Sequence, residues 1–202
     1  INNGIDLPSF FPDQRARQRL RHEFRIQEDV VLLGFIARWD PLKDHSNLLQ
    51  ALSIIKNNNH KFACILVGNN MTSNNAVLME LIHKNELDDH IILPGPRSDI
   101  PAIMNALDLH VLSSFSESMP LAIIEAMACG TPCVVTDVGD AALVVGDTGW
   151  VVPPKEPHAL AAGIETGIGA LEENGKVELG QRCRRVIEEK YSLEVMVNSY
   201  IK

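Results

Sequence analysis

The sequence predicts an α/β fold: a doubly wound, Rossmann-like parallel sheet of about six strands, with helices on both faces and a helical C-terminal end. Three observations predict it. Short apolar runs alternate with helical patterns, the arrangement that builds a parallel sheet through crossover helices. The strand runs are near-continuously apolar, as in strands covered on both faces. No linker, repeat or low-complexity segment interrupts the 202 residues, so positions 1–202 read as one domain, long enough for a well-buried core.

The elements follow in order. Residues 30–37 are the first apolar run, and residues 44–56 carry Leu48, Leu49, Leu52 and Ile55 at helical spacing. Phe62–Val67 is a second strand closed by Gly68; a helix over 76–83 follows between Asn-rich turns. A short strand over 91–93 stops at Pro94-Gly95-Pro96, and Ser98 is the expected N-cap of the next helix. Leu109–Leu112 is the fourth strand, residues 120–128 the following helix with Pro120 at its first position, and Gly130 its C-terminal stop. Cys133–Thr136, a short helix over 140–145 and a strand over 149–152 complete the sheet. From His158 onward the pattern is helical, with breaks near Asn174-Gly175 and Tyr191-Ser192.

Composition excludes several functions. A net charge of −8 argues against a nucleic-acid or anionic-membrane surface, while leaving room for a local basic pocket. No apolar run reaches membrane-spanning length and no signal peptide is visible. The four cysteines and seven histidines show no metal or disulfide spacing, so reduced structural thiols, no metal and a cytoplasmic location are expected. The chain begins at Ile1 and ends at Lys202 within a helical pattern; both ends read as cuts, as in an excised domain.

In a doubly wound sheet ligands bind beyond the carboxyl ends of the strands. After the first strand, Arg38 and Lys43 stand five residues apart, and both heads can converge on a diphosphate near a helix N-terminus; an Arg–Asp surface pair on a solvated loop is the competing reading. There is no G-x-G-x-x-G or G-K-[ST], which disfavours a dinucleotide site or a P-loop. Gly68 allows a close backbone approach or simply ends its strand. Gly95 and Arg97 follow the third strand: backbone groups there can meet a flat base and the guanidinium can stack on it, unless Arg97 is an ordinary surface residue. After the fourth strand comes Ser113-Ser114-Phe115-Ser116-Glu117-Ser118-Met119-Pro120-Leu121, small polar residues and a carboxylate suited to sugar hydroxyls, with amides at a helix N-terminus. Glu125, one turn into that helix, can grip both hydroxyls of a ribose; among Ile123, Ile124, Ala126 and Met127 it needs a partner, where a solvated helix face would not. The two carboxylates lack the neighbours of a glycosidase pair.

Glu117-Ser-Met-Pro-Leu-Ala-Ile-Ile-Glu125-Ala-Met-Ala-Cys-Gly-Thr-Pro resembles the E-x7-E signature of family-four retaining glycosyltransferases, and nearly the whole chain is similar to their C-terminal, donor-binding GT-B domain. Asn3-Gly4-Ile5-Asp6 with Phe10 or Phe11, the stretch from Gly34 to Asp44, Leu66-Val67-Gly68, Gly95, Val138-Gly139-Asp140 and Gly146-Asp147-Thr148-Gly149 resemble its other turns. Asp44 stands where glycine is commoner, and Ser118-Met119-Pro120 replaces a frequent G-F-G. The resemblance implies that Arg38 and Lys43 hold the donor diphosphate and Glu125 the ribose. Gly95 and Arg97 would meet the base. Glu117, as catalytic residue, with Ser118, Met119, Pro120 and Leu121, would hold the transferred sugar. It implies retaining transfer from a UDP- or GDP-linked sugar without metal or cofactor, to an acceptor glycan or lipid held by an absent N-terminal domain. The fragment itself is then expected to be inactive, with no direct membrane contact and no nucleic-acid partner. A nucleotide-sugar epimerase of the same fold and a non-catalytic nucleotide-sugar module are the alternatives.

Overall fold

A computed structural model of the chain describes residues 3–201; the expected cuts at Ile1 and Lys202 lie outside the described residues. Six parallel strands, β1 (Val31–Ile36), β2 (Phe62–Val67), β3 (Ile91–Gly95), β4 (Leu109–Leu112), β5 (Cys133–Thr136) and β6 (Trp150–Val152), form one sheet in the order β3-β2-β1-β4-β5-β6. Helices α1 (Gln14–Glu23), α2 (His45–Asn57), α3 (Ala76–Lys84), α4 (Ile100–Ala106), α5 (Leu121–Ala128), α6 (Ala141–Val145), α7 (Pro157–Asn174), α8 (Lys176–Lys190) and α9 (Leu193–Ile201) connect and flank it.

Strand side chains alternate between two cores. Leu33, Phe35, Cys64 and Leu66 face α2, α3 and α7, whereas Leu32, Ile65 and Val67 face α1, α4, α5, α6 and α8. Both faces are covered, which is why the strand runs read as continuously apolar. Gly34, in β1, lies against the junction of α4 and β4: a Cβ there would run into the Leu107 side chain.

The predicted strands hold, with β3 two residues longer than expected. It runs through Pro94 to Gly95, which its place at the sheet edge allows, since an edge residue can forgo one ladder donor. Ser98 is not the cap of α4. Asp99 occupies that position and gives no side-chain cap bond, because both its carboxylate oxygens accept from Arg97. Pro120 is the N-cap residue of α5 and Leu121 its first helical residue. Gly175, at φ +77°, separates α7 from α8, and Ser192 forms a bridge with Ile5 at the second break.

Helix α1 is an addition to the sequence reading. Its side chains are mostly charged and only Leu20 and Arg21 are buried, so it has little apolar stripe to detect. Its start is marked: Asp13 accepts from the amides of Arg15 and Ala16. The helix is held by ion pairs to Asp108, which takes Arg17 Nη2 at 2.5 Å, Arg21 Nη1 at 2.9 Å and the Leu32 amide at 2.7 Å. Burial alone would raise the Asp108 pKa; Arg17, Lys176, the Leu32 amide and Arg21 together overcome it and keep the carboxyl below its ordinary value of 3.8.

Removing that carboxylate strands two guanidiniums and an amide. Asp108→Ala should cost about 3–5 kcal/mol, read as a lower urea midpoint at unchanged slope. Because the folded pKa is depressed, Asp108's contribution is complete above its unfolded pKa and is lost as pH falls through the folded one. A cost below about 1 kcal/mol would mean that the network does not anchor α1.

Candidate functional site

The sheet order reverses between β1 and β4, so the loops that leave their carboxyl ends rim one crevice. The loop after β1 is built by its own side chains. Asp40 accepts from the Leu42 amide and opens a 3-10 turn, Pro41–Lys43. Asp44 follows with φ +48° and ψ +58°, a left-handed conformation that explains why glycine suits this position. Aspartate tolerates it and adds what glycine lacks, a carboxylate that caps α2 through the Asn47 amide at 3.1 Å. Beneath the loop His45 packs against Phe35 and Trp39, with ring centroids 5.1 and 4.4 Å away, and burial lowers its pKa to about 4, so it is a neutral wedge.

The loop after β4 is bonded to the first. Ser113 Oγ donates to the carbonyls of Lys43 and Asp44 at 2.9 and 3.1 Å, and the Phe115 amide donates to the Leu42 carbonyl at 3.0 Å. Thr136 Oγ1 donates to the Ser114 carbonyl at 2.6 Å. From the other side Gly139, at φ +51°, lies against the carbonyls of Glu117 and Ser118, where a Cβ would collide, and the Asp140 amide donates to Ser118 at 2.9 Å. These bonds bring Lys43 Nζ to 2.5 Å from Glu117 Oε1, and Ser114 Oγ donates to the same oxygen at 2.6 Å. The Lys43 and Glu117 side chains are only 23% and 11% exposed.

Helix α5 begins at Leu121, four residues after Glu117. Among the described residues no side chain caps it, so its first amides have no side-chain acceptor there. Met119 packs on the core, Pro120 is buried and Leu121 is exposed. Glu125, one turn in, is half-buried among Ile123, Ile124 and Ala126 and has no side-chain hydrogen bond or ion pair among the described residues. Burial pushes its pKa up from the ordinary 4.5. An acceptor pair held in such surroundings without a donor is primed for one.

At the ends of β1, β2 and β3 a cavity of about 270 Å³ is lined by Arg38, Gly68, Asn69, Pro96 and Arg97. Gly68 makes the close approach: at φ +150° it presses on the Ala37 carbonyl, and its amide donates to Gly95 at 3.2 Å. Gly95 itself has φ +76°. Arg97 is held by Asp99 and Glu23.

The sequence reading has Arg38 and Lys43 converging on one point. Here each is engaged by a different carboxylate: Lys43 by Glu117, and Arg38, 68% exposed, by Asp40 at 2.9 Å. The Arg–Asp pair weighed as a competing reading is therefore present. Ser113 and Ser114 hold the loops and Glu117 rather than standing open to the crevice. Thr136, His45 and Glu23 were not foreseen, because each reaches the site from another element and leaves no spacing signal. Of these, only Thr136 lay near a visible mark, the Val138-Gly139 turn.

The four cysteines are free and buried; burial raises Cys129 to about 12 and Cys183 to about 11, well out of nucleophilic range. Among the described residues no helix is long and apolar enough to cross a membrane.

Residues 16–188 match the family described as glycosyl transferases group 1. N-acetyl-alpha-D-glucosaminyl L-malate synthase of Bacillus anthracis is 28% identical over 204 residues, which cover 99% of this chain and 51% of that protein. A D-inositol 3-phosphate glycosyltransferase of Kribbella flavida is 32% identical over 191 residues, 87% of this chain and 44% of that protein. Among solved structures, Anabaena HepE in complex with UDP superposes with a TM-score of 0.85 at 25% identity, over 98% of this chain and 54% of that one. The chain thus spans about half the length of the curated relatives it matches. Sheet order, the crevice between β1 and β4, and a family match over most of its length agree: the chain belongs to the glycosyl transferases group 1 family, in a GT-B, family-four-type fold.

Proposed function

We propose that this chain is the donor-binding half of a retaining glycosyltransferase, and that it holds a nucleotide-diphosphate sugar across the β1–β4 crevice. The observation that carries the reading is the Lys43–Glu117 pair in the loops that lead to α5, a helix with no side-chain cap among the described residues, with Glu125, unpartnered among them, one turn into it. An ammonium and free helix amides suit a diphosphate, and Lys43 has two N–H donors left after Glu117 takes one. Arg38 adds a second, exposed cation from the loop edge. Glu125 accepts from the ribose hydroxyls, and the cavity at Gly95 and Arg97 takes the base. The complex of HepE with UDP supports uridine as the nucleoside.

Glu117, steadied by Ser114, faces the transferred sugar together with the backbone of Ser118, Met119, Pro120 and Leu121. As the glycosidic bond breaks, charge builds on the leaving diphosphate, and the fixed cations and α5 amides stabilise it there more than in the bound donor. The relatives' additional length accommodates a second domain for the acceptor, a glycan or lipid, and this chain by itself binds donor without transferring sugar. Detectable transfer by the purified chain would overturn that last point.

Lys43→Ala should weaken nucleoside diphosphate binding roughly 10- to 100-fold in titration calorimetry, the loss of one or two charge-assisted hydrogen bonds. Unchanged affinity would remove the diphosphate from this crevice.

Glu125→Gln should weaken UDP roughly 10-fold or more and 2′-deoxy-UDP less, because the deoxy ligand has one hydroxyl fewer to lose. The same change should leave the unliganded chain's melting temperature equal or higher at neutral pH. With the folded pKa raised, ionised Glu125 costs stability above that pKa and the cost vanishes as pH falls through it. Equal losses for the two nucleotides would rule out the ribose role.

A further inference from the structure

We infer that Asp99 and Glu23 are positioning residues that lock Arg97 as a flat shelf for a heteroaromatic base in the cavity at the ends of β1, β2 and β3. This rests on the nucleotide reading above and adds residues from α1 and from the start of α4. Arg97 Nε and Nη2 each donate to one oxygen of Asp99 at 2.8 Å, a two-pronged pairing that fixes the guanidinium plane. Nη1 donates to Glu23 Oε1 at 2.7 Å, which ties the third corner to α1. The Phe24 ring lies 5.7 Å from the guanidinium carbon and supports it.

Charge and shape then decide what Arg97 can do. Two carboxylates answer one cation, so the cluster carries a net negative charge and is a poor diphosphate ligand. What remains for a ligand is the planar face, and Arg97 forms part of the cavity wall beside Pro96, Gly68 and Asn69. Guanidinium planes stack on bases, and a plane already fixed loses little freedom on stacking. The side chain is only 23% exposed, so it is held against the protein and not extended into solvent.

The test compares UDP with inorganic pyrophosphate, which lacks the base, by calorimetry on the full chain, with thermal melts to verify folding. Arg97→Ala should lower UDP affinity roughly 5- to 100-fold, the range of one base stack. Asp99→Asn should lose roughly 3- to 10-fold, and the gentler Glu23→Gln should shift in the same direction by less. Pyrophosphate affinity should stay within about twofold in all three variants, or rise in Asp99→Asn and Glu23→Gln, where removing a carboxylate frees Arg97 and adds local positive charge. Equal losses for both ligands would make the cluster a staple between α1 and the β3–α4 loop and overturn the shelf, as would UDP affinity unchanged in Asp99→Asn. If the wild-type chain binds neither UDP nor GDP, the nucleotide reading falls and the shelf with it. Wild-type UDP binding with base-independent losses in the variants sinks the shelf alone.

Discussion

The contact between Lys43 and Glu117 is the constraint on which the rest of the site depends. It joins the loop after β1 to the loop after β4, the two loops that the reversal of strand order sets face to face. A pair so little exposed gains Coulomb energy at a lower effective dielectric, yet loses hydration on both partners. It persists because both backbones are already fixed: Ser113 and the Phe115 amide bond one loop to the other, and Thr136 and Gly139 hold the second from behind. Little backbone entropy then remains to be lost in forming the pair, and only the two side chains have to be ordered. The pair thus sets an ammonium and a carboxylate side by side at fixed positions in the crevice, so a change at either one alters the charge that the other presents.

Much of the architecture was legible in the sequence because parallel strands covered on both faces leave dense apolar runs. The stretches around Leu33, Ile65, Val111 and Val134 announce themselves, and so does the helical spacing of Leu48, Leu49, Leu52 and Ile55. Helix α1 did not, since its attachment is electrostatic: Arg17 and Arg21 meet Asp108 across 91 and 87 residues of chain, and periodicity analysis is blind to such pairings. The α4 cap failed for a related reason. Ser98 and Asp99 are both good cap residues, and the decision fell to Arg97, which takes the Asp99 carboxylate for another purpose.

The candidate site divides the same way. Glu117 and Glu125 stood out because their spacing is local and one of them lies in an apolar helix. The supports did not: Thr136 reaches back 22 residues to the Ser114 carbonyl, and Glu23 reaches 74 residues to Arg97. Local sequence reveals which groups are present near a strand end, while the partner that orients each one comes from a different element.

That distribution of partners also decides which cations of a chain with a net charge of −8 keep donor capacity. At the opposite end of the sheet the basic side chains face main-chain carbonyls at helix C-termini. Arg17 donates to Ala106 and Leu107, Arg184 to Ala128, and Lys176 to Asn105 and Leu107, where the negative end of a helix dipole favours a cation. Arg97 is answered twice over by carboxylates. These cations are absorbed by the fold and project little field. Lys43 differs in lying between a single carboxylate and the uncapped start of α5, with donor capacity in hand. A little-exposed ammonium with donor capacity in hand, close in sequence and fold to helix amides without a side-chain cap, is a local source of positive potential that the overall charge does not reveal.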